Sequence, residues 1–269
     1  MQFPHPRPDI RLIAVDMDGT LLDGEGRVPE DLWPMLEELR RRDIAFAPAS
    51  GRQYATLRRE FGGHGDDMVF IAENGTLVMR RDEELSADPM DAAVVRGVVD
   101  TVRGVTHDVG VVLCGKRSAY IERTDPAFHA EAARYYAELE PVADLQTVGD
   151  EIIKIAIFDF DGAEHGVAPA LSDIARTHQV VVSGHNWVDI MNRGVNKGAA
   201  LRRLQDALGI TAEQTVVFGD YLNDLEMMDA AAHSFAMANA HPDVAARARY
   251  RAPSNTEHGV IRVLERLLG

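Results

Sequence analysis

The amino-acid sequence predicts an α/β protein, a parallel-sheet core divided in two by an inserted α+β segment. Three observations predict it. Residues 1–81 alternate apolar runs with helical patterns, residues 188–269 return to that alternation, and residues 82–187 carry a hairpin-like pair and irregular spacing. Strand–helix–strand alternation implies parallel strands joined by helical crossovers, with helices on both faces of the sheet.

Each element follows from its pattern. Ile10–Asp16 reads as a buried strand, and Pro29–Asp43 as a helix because Leu32, Met35, Leu36 and Leu39 recur at helical spacing. Ile44–Ala49 is the second strand, Arg52–Phe61 the next helix and Met68–Glu73 the third strand. In the second block, Lys197–Leu208 is a helix, Thr215–Asp220 a short strand, Asn223–Ala232 a helix and Ser234–Ala238 a strand. His241–Ala248 and Glu257–Leu268 close the chain as helices. In the segment between, Val109–Cys114 and Ala119–Arg123 flank Gly115–Ser118 as a β-hairpin. A helix Pro126–Leu139, a strand Ile152–Phe158, a helix Gly166–Thr177 and a strand Gln179–Ser183 come next.

The chain has 269 residues, 46% hydrophobic and 26% charged, the balance of a globular protein with a sizeable core. No apolar run approaches the roughly 20 residues of a membrane-spanning helix. The N-terminal MQFPHPRPDI, with three prolines and no apolar stretch, is expected to be a ragged tail and not a secretion signal. A formal charge of −15 argues against a nucleic-acid or anionic-membrane partner. The single cysteine, Cys114, excludes an internal disulfide and a cysteine-based zinc site. Set in the apolar GVVLCG, it is expected to be buried as a small hydrophobe, and a cytoplasmic location fits. Among 28 basic residues only Lys116, Lys154 and Lys197 are lysines.

In an open parallel sheet, ligands bind beyond the carboxyl ends of the strands. Asp16, Ser50, Glu73 and Asp220 all fall at predicted strand ends. VDMDGTLLDG sets Asp18 beside Asp16, and GDYLND adds Asp220 and Asp224. Taken singly, DG and GD are turn formers. At matching strand ends they form an oxygen-rich site suited to Mg²⁺, which would relieve the repulsion between the acids. Ser50-Gly51-Arg52 opens a predicted helix, where amides and the Ser50 hydroxyl can cradle a phosphate, or where Ser50 can simply cap the helix. Lys197, in GVNKGAAL, also starts a helix, a position that opposes the helix dipole unless the cation faces an anion.

Four blocks in order resemble the motifs of the haloacid dehalogenase superfamily of phosphotransferases, and within it the Cof-type, sugar-phosphatase-like branch. They are DMDGTLL (Asp16–Leu22), ASGR (Ala49–Arg52), VDIMNRGVNKGAAL (Val188–Leu201) and GDYLND (Gly219–Asp224). AENG (Ala72–Gly75), MANA (Met237–Ala240) and SNTEHGV (Ser254–Val260) add family-like punctuation, the last with Thr256 and His258 where acids are common. The resemblance implies a Rossmann-like core, 1–81 and 188–269, carrying a C2-type α/β cap over 82–187 that offers no matched motif of its own. It implies that Asp16 is the nucleophile that forms an aspartyl-phosphate, and that Asp18 protonates the leaving oxygen and then activates water. It further implies Mg²⁺ held by Asp16, the Asp18 carbonyl and Asp220, with Asp224 in support. The Met17 amide, Ser50, the Gly51 amide, Lys197 and Asn223 would hold the phosphoryl oxygens, and Arg52, Asn74 and His185 are candidates for substrate contact.

The activity implied is a Mg²⁺-dependent phosphatase acting on a small phosphorylated metabolite, with sugar phosphates as the class expected. The same core would serve a phosphomutase or phosphotransferase in which a sugar hydroxyl replaces water. A non-enzymatic phospho-acceptor is disfavoured because Asp18 stands where it can activate water, and a silent binding module because all four motifs are filled. Tyr135, Tyr136, Trp33 and Trp187 are assigned to packing, with at most one of the two tyrosines pointing inward. The pattern assigns no oligomeric state.

Overall fold

A computed structural model describes residues 3–269. The chain divides into two compact units, one made of the residues up to Ser86 with Asn196–Gly269, the other of Ala87–Val195. In chain order the strands begin with β1 (Leu12–Asp16), β2 (Ala45–Ala49), β3 (Val69–Ala72), β4 (Leu77–Arg80) and β5 (Glu83–Ala87). The inserted unit holds β6 (Val109–Gly115), β7 (Ala119–Ile121), β8 (Leu139–Pro141), β9 (Ile152–Asp159), β10 (Gln179–Val182) and β11 (Trp187–Met191). The chain then forms β12 (Thr215–Gly219), β13 (His233–Ala236) and β14 (Tyr250–Arg251). The helices are α1 (Leu32–Arg41), α2 (Tyr54–Phe61), α3 (Ala92–Arg103), α4 (Pro126–Tyr135), α5 (Lys197–Leu208), α6 (Leu225–Asp229), α7 (Pro242–Arg247) and α8 (Gly259–Leu268).

The core sheet has the order β14-β13-β12-β1-β2-β3-β4-β5, parallel from β14 to β3 and then antiparallel from β3 to β4. β1 lies at its centre and all five of its residues are buried, as expected of a strand covered on both faces. Register aligns the strand ends. Asp16 is level with Ala49, and Val15 with Phe218, so the chain leaves β1, β2 and β12 along one edge of the sheet. Asp16, Ser50 and Asp220 therefore reach that edge together.

The inserted unit is a second sheet of order β10-β11-β9-β6-β7-β8. Along β9, Ile155 and Ile157 pack with Leu113, Val188 and Ile190, whereas Ala156 and Phe158 pack with Val112, Cys114 and Phe128. This two-residue alternation gives the sheet two apolar faces. Cys114 is buried on one of them, as expected. Tyr136 is buried and Tyr135 exposed.

Several expectations are corrected. The core does not resume at 188: Trp187–Met191 forms β11, which pairs with β9 and β10, and the unit ends at Val195. The expected helix Gly166–Thr177 is two short 3₁₀ turns, Ala168–Leu171 and Ile174–Arg176, because Leu171 alone among their residues is buried and no continuous apolar stripe exists to seat a helix. The helix from Pro126 stops at Tyr135, where Tyr136 turns to extended backbone and Leu139–Pro141 pairs with β7. Residues 92–103, a valine-rich stretch with no element predicted for it, form α3. Its Val95, Val98, Val99 and Val102 are buried, and Asp91 caps it by accepting the Ala93 amide at 2.6 Å. The expected N-terminal tail is partly packed, with the Phe3 ring 6.2 Å from that of Phe235; Met1 and Gln2 lie outside the described residues.

Candidate active site

Asp16 ends β1, and the chain then makes a tight turn through Gly19, whose φ is +76°. A Cβ on Gly19 would sit 2.3 Å from Asp220 Oδ2, so glycine is what lets this turn pass the second acidic strand end. The next residue, Thr20, donates its hydroxyl to Asp220 Oδ1 at 2.9 Å, and Asn239 Nδ2 donates to the Gly19 carbonyl at 2.7 Å. Neither Thr20 nor Asn239 is among the site residues expected from the sequence. Both lie inside the motifs DMDGTLL and MANA, which are the only signal for them.

Asp224 closes the turn after β12. Its Oδ2 accepts the amides of Asp220 at 3.0 Å and Tyr221 at 3.2 Å, which fixes the loop that carries Asp220. Its Oδ1 accepts from Lys197 Nζ at 2.8 Å. Lys197 is the first residue of α5, behind Asn196, whose side chain caps the helix at the Ala199 amide, 2.7 Å away. Lys197 Nζ also donates to Asp16 Oδ1 at 2.5 Å. The cation at a helix start thus faces the anions its position calls for. The side chains of Lys197 and Asp224 are wholly buried and that of Asp16 nearly so.

Asp16, Asp220 and Asp224 each offer a carboxylate oxygen, and these atoms lie within 4.8 Å of one another. Burial, above all, pushes the Asp16 carboxyl well above its usual range; Asp224 adds to this by repulsion, and Lys197 partly offsets it. Burial likewise raises Asp220. Burial alone would weaken the Lys197 ammonium, but Asp16 and Asp224 outweigh it and hold the lysine above its ordinary range. With all three acids ionised, one lysine leaves net negative charge at low dielectric, which is costly unless a further cation or a retained proton offsets it. Hard carboxylate oxygens gathered this closely suit a small divalent ion.

The remaining sequence candidates fall into three groups. Ser50 is buried, but the tripeptide after β2 is a loop and not a helix start, since α2 begins only at Tyr54. The loop is held by its neighbours instead: Ser50 Oγ accepts the Arg52 amide at 3.2 Å, the Ser50 carbonyl accepts the Asn74 amide at 2.9 Å, and the Arg52 carbonyl accepts the Glu73 amide at 3.0 Å. Asn74, with φ +57°, reaches Asn223 Nδ2, which donates to its Oδ1 at 3.3 Å, and it packs so close to Gly51 that a Cβ there would lie 3.0 Å from its amide nitrogen. The structure therefore joins Ser50, Gly51, Asn74 and Asn223 in one rim.

Asp18 and Arg52 pair with each other. The Asp18 side chain is 65% exposed, and Arg52 donates to it through Nε at 3.1 Å and Nη2 at 2.6 Å, while Nη1 donates to Glu60. Arg52, expected as a substrate contact, gives its guanidinium to two carboxylates of its own chain. Met17 is buried directly behind Asp16. His185 belongs to the inserted unit, where its carbonyl accepts the Ala163 amide at 2.9 Å.

A parallel sheet that gathers three acids and a buried lysine at one edge fits the core of a phosphotransfer-type hydrolase. Residues 13–264 match the haloacid dehalogenase-like hydrolase family. The chain is 35% identical over 262 residues to the 5-amino-6-(5-phospho-D-ribitylamino)uracil phosphatase YbjI of Escherichia coli K12, covering 96% of each. Among solved structures, SMU.1108c of Streptococcus mutans aligns with a TM-score of 0.83 at 28% identity over 96% of this chain and 99% of the other. TM0651 of Thermotoga maritima shares the fold with a TM-score of 0.87 at 24% identity, over 96% and 97%. The chain belongs to the haloacid dehalogenase-like hydrolase family and is an enzyme of its phosphatase class, acting on phosphoric monoesters. No helix among the described residues is long and apolar enough to cross a membrane.

Proposed function

We propose that the protein is a Mg²⁺-dependent phosphatase that hydrolyses small phosphate monoesters, of the sugar or sugar-alcohol class, through a phosphoryl group carried on Asp16. The observation that carries this reading is the position of Lys197 Nζ, bonded to Asp16 at 2.5 Å and to Asp224 at 2.8 Å beside Asp220. The phosphate on a ribityl chain named for the Escherichia coli relative supports the substrate class.

Asp16 and Asp220, with the Asp18 carbonyl and Asp224 in support, are the residues that would hold the ion. When bound, Mg²⁺ would neutralise the acids and draw charge from the phosphoryl oxygens. The chain's own residues do the rest. Lys197 faces Asp16 and lowers the repulsion between that carboxylate and an anionic phosphoryl group. Ser50, the amides of Met17 and Gly51, and Asn223 hold the phosphoryl oxygens. In the first step an Asp16 oxygen bonds to phosphorus as the ester oxygen leaves with a proton from Asp18. In the second, water attacks phosphorus, gives its proton to Asp18 and frees Asp16.

Purified protein tested against a panel of phosphorylated sugars and polyols should release inorganic phosphate with Mg²⁺ and not with EDTA. Release undiminished by EDTA would remove the metal from the scheme, and transfer of the phosphoryl group to a second sugar would reassign the enzyme as a mutase or transferase.

A further inference from the structure

The two-step scheme leaves Arg52 without a task, yet its side chain is tied more tightly than that of Asp18, which the scheme needs. An exposed aspartate just ahead of a left-handed glycine samples several rotamers unless something holds it. Here the holder is a guanidinium fork, with Nε on Oδ2 at 3.1 Å and Nη2 on Oδ1 at 2.6 Å, a pairing that fixes both the distance and the plane of the carboxylate. The third nitrogen, Nη1, is held by Glu60 Oε1 from α2, and the other oxygen of Glu60 is buried with no hydrogen-bond partner, so Glu60 is committed to Arg52. The main chain of Arg52 is anchored as well, through its amide to Ser50 Oγ and through its carbonyl to the Glu73 amide. One residue thus links the loop beside the phosphoryl site to the side chain of Asp18.

We propose that Arg52, braced by Glu60, is a positioning residue that fixes the Asp18 carboxylate for the second, water-activating step. This rests on the reading of Asp18 as the proton-transfer group. Two N–H bonds from the fork leave an acceptor site on each carboxylate oxygen. A carboxylate so held is oriented to take a proton from water while the water oxygen bonds to phosphorus and the bond from phosphorus to Asp16 breaks. Leaving-group departure from an aryl ester needs little help from an acid, so removal of the fork should fall on breakdown of the phosphoenzyme and not on its formation.

The test uses the full chain with Mg²⁺ and p-nitrophenyl phosphate, whose good leaving group makes the first step fast. Arg52→Ala should lower kcat about 10-fold or more, part of the roughly 10²–10⁴-fold that acid–base catalysis supplies, while kcat/KM changes less than about 3-fold. The fraction of acid-quenched protein carrying one phosphoryl group, read by intact mass, should rise. Arg52→Lys keeps the charge without the fork and should fall between. Glu60→Gln, which takes the charge from the brace but keeps an acceptor oxygen, should shift both readouts the same way but by less, about 3-fold, and it serves if Arg52→Ala does not fold. A parallel loss of kcat and kcat/KM without extra phosphoprotein would overturn the proposal and assign Arg52 to substrate binding. Asp18→Asn is the reference: if it does not accumulate phosphoprotein, the reading of Asp18 itself fails, whatever Arg52 does.

Discussion

Each unit of the molecule contains three residues whose ligand atoms lie within 4.8 Å of one another, Asp16, Asp220 and Asp224 in the core and His107, Asp159 and Asp161 in the insertion. The two groups have similar chemistry and opposite circumstances. In the insertion Asp159 is buried, but the Asp161 amide donates to its Oδ1 at 3.0 Å and the Val167 amide to its Oδ2 at 2.8 Å, while His107 and Asp161 are exposed to water. Its charge is already met by the backbone of the loop it shapes. In the core, Asp16 and Asp220 are forced together with Asp224 around one ammonium, and burial holds the Asp16 and Asp220 carboxyls above their usual ranges. Proximity of acids therefore says little. What distinguishes a site is charge that the fold gathers and leaves unmatched.

The largest effects should come from the core group. Asp16→Asn should lower phosphate release by about 10⁴-fold or more, as loss of a nucleophile does, with circular dichroism unchanged. Turnover near the wild-type rate would dismiss the proposed covalent step. Lys197→Ala should cost about 10²–10³-fold in kcat/KM, the scale of removing one charge-stabilising donor. An unchanged value would reduce Lys197 to a structural partner of Asp224.

A metal titration sharpens the same contrast. A ligand at about 100 times its Kd adds about 2.7 kcal/mol to the unfolding free energy, so Mg²⁺ should raise Tm measurably. Asp220→Asn should suppress the rise and His107→Ala should not. The rise should also depend on pH. Because the folded Asp16 carboxyl sits above its unfolded value, the native state holds the extra proton, and the metal-free protein loses stability as pH rises through the raised value. Metal removes that loss, so its benefit should grow from acid toward neutral pH. A shift that is flat with pH would detach the metal from Asp16.

Much of the core was legible because its signals are local. β1, β2 and β12 end where their apolar runs end, so Asp16, Ser50 and Asp220 could be placed at strand ends from spacing alone. Lys197 stood out as a cation at a helix start among few lysines. What could not be read depends on partners far along the chain. The grip of Arg52 on Asp18 spans 34 positions, and the bond from Thr20 to Asp220 spans 200. VDIM, placed in the core as part of a motif, pairs with β9 and β10, because a short apolar run carries no mark of which sheet it will join. α3 was hidden by β-branched valines and Gly97, whose intrinsic preference is overridden once four valines bury on one stripe.

The smallest effect tests the insertion's acids. A Cβ on Gly166 would lie 2.0 Å from Asp159 Oδ2, so the loop from Asp159 to Val167 is wrapped closely around that carboxylate. If Asp159 is a loop anchor, Asp159→Ala strands the Asp161 and Val167 amides and should destabilise the protein by about 1–3 kcal/mol, the cost of unsatisfied buried donors. Asp159→Asn keeps an acceptor oxygen and should cost less. In both variants the Mg²⁺-dependent rise in Tm should persist, because none of the core carboxylates has changed. His107→Ala, which removes an exposed ring, should leave Tm within measurement error. A metal-dependent rise that vanished with His107 or Asp159 would reverse the comparison and make the insertion's group the ion site.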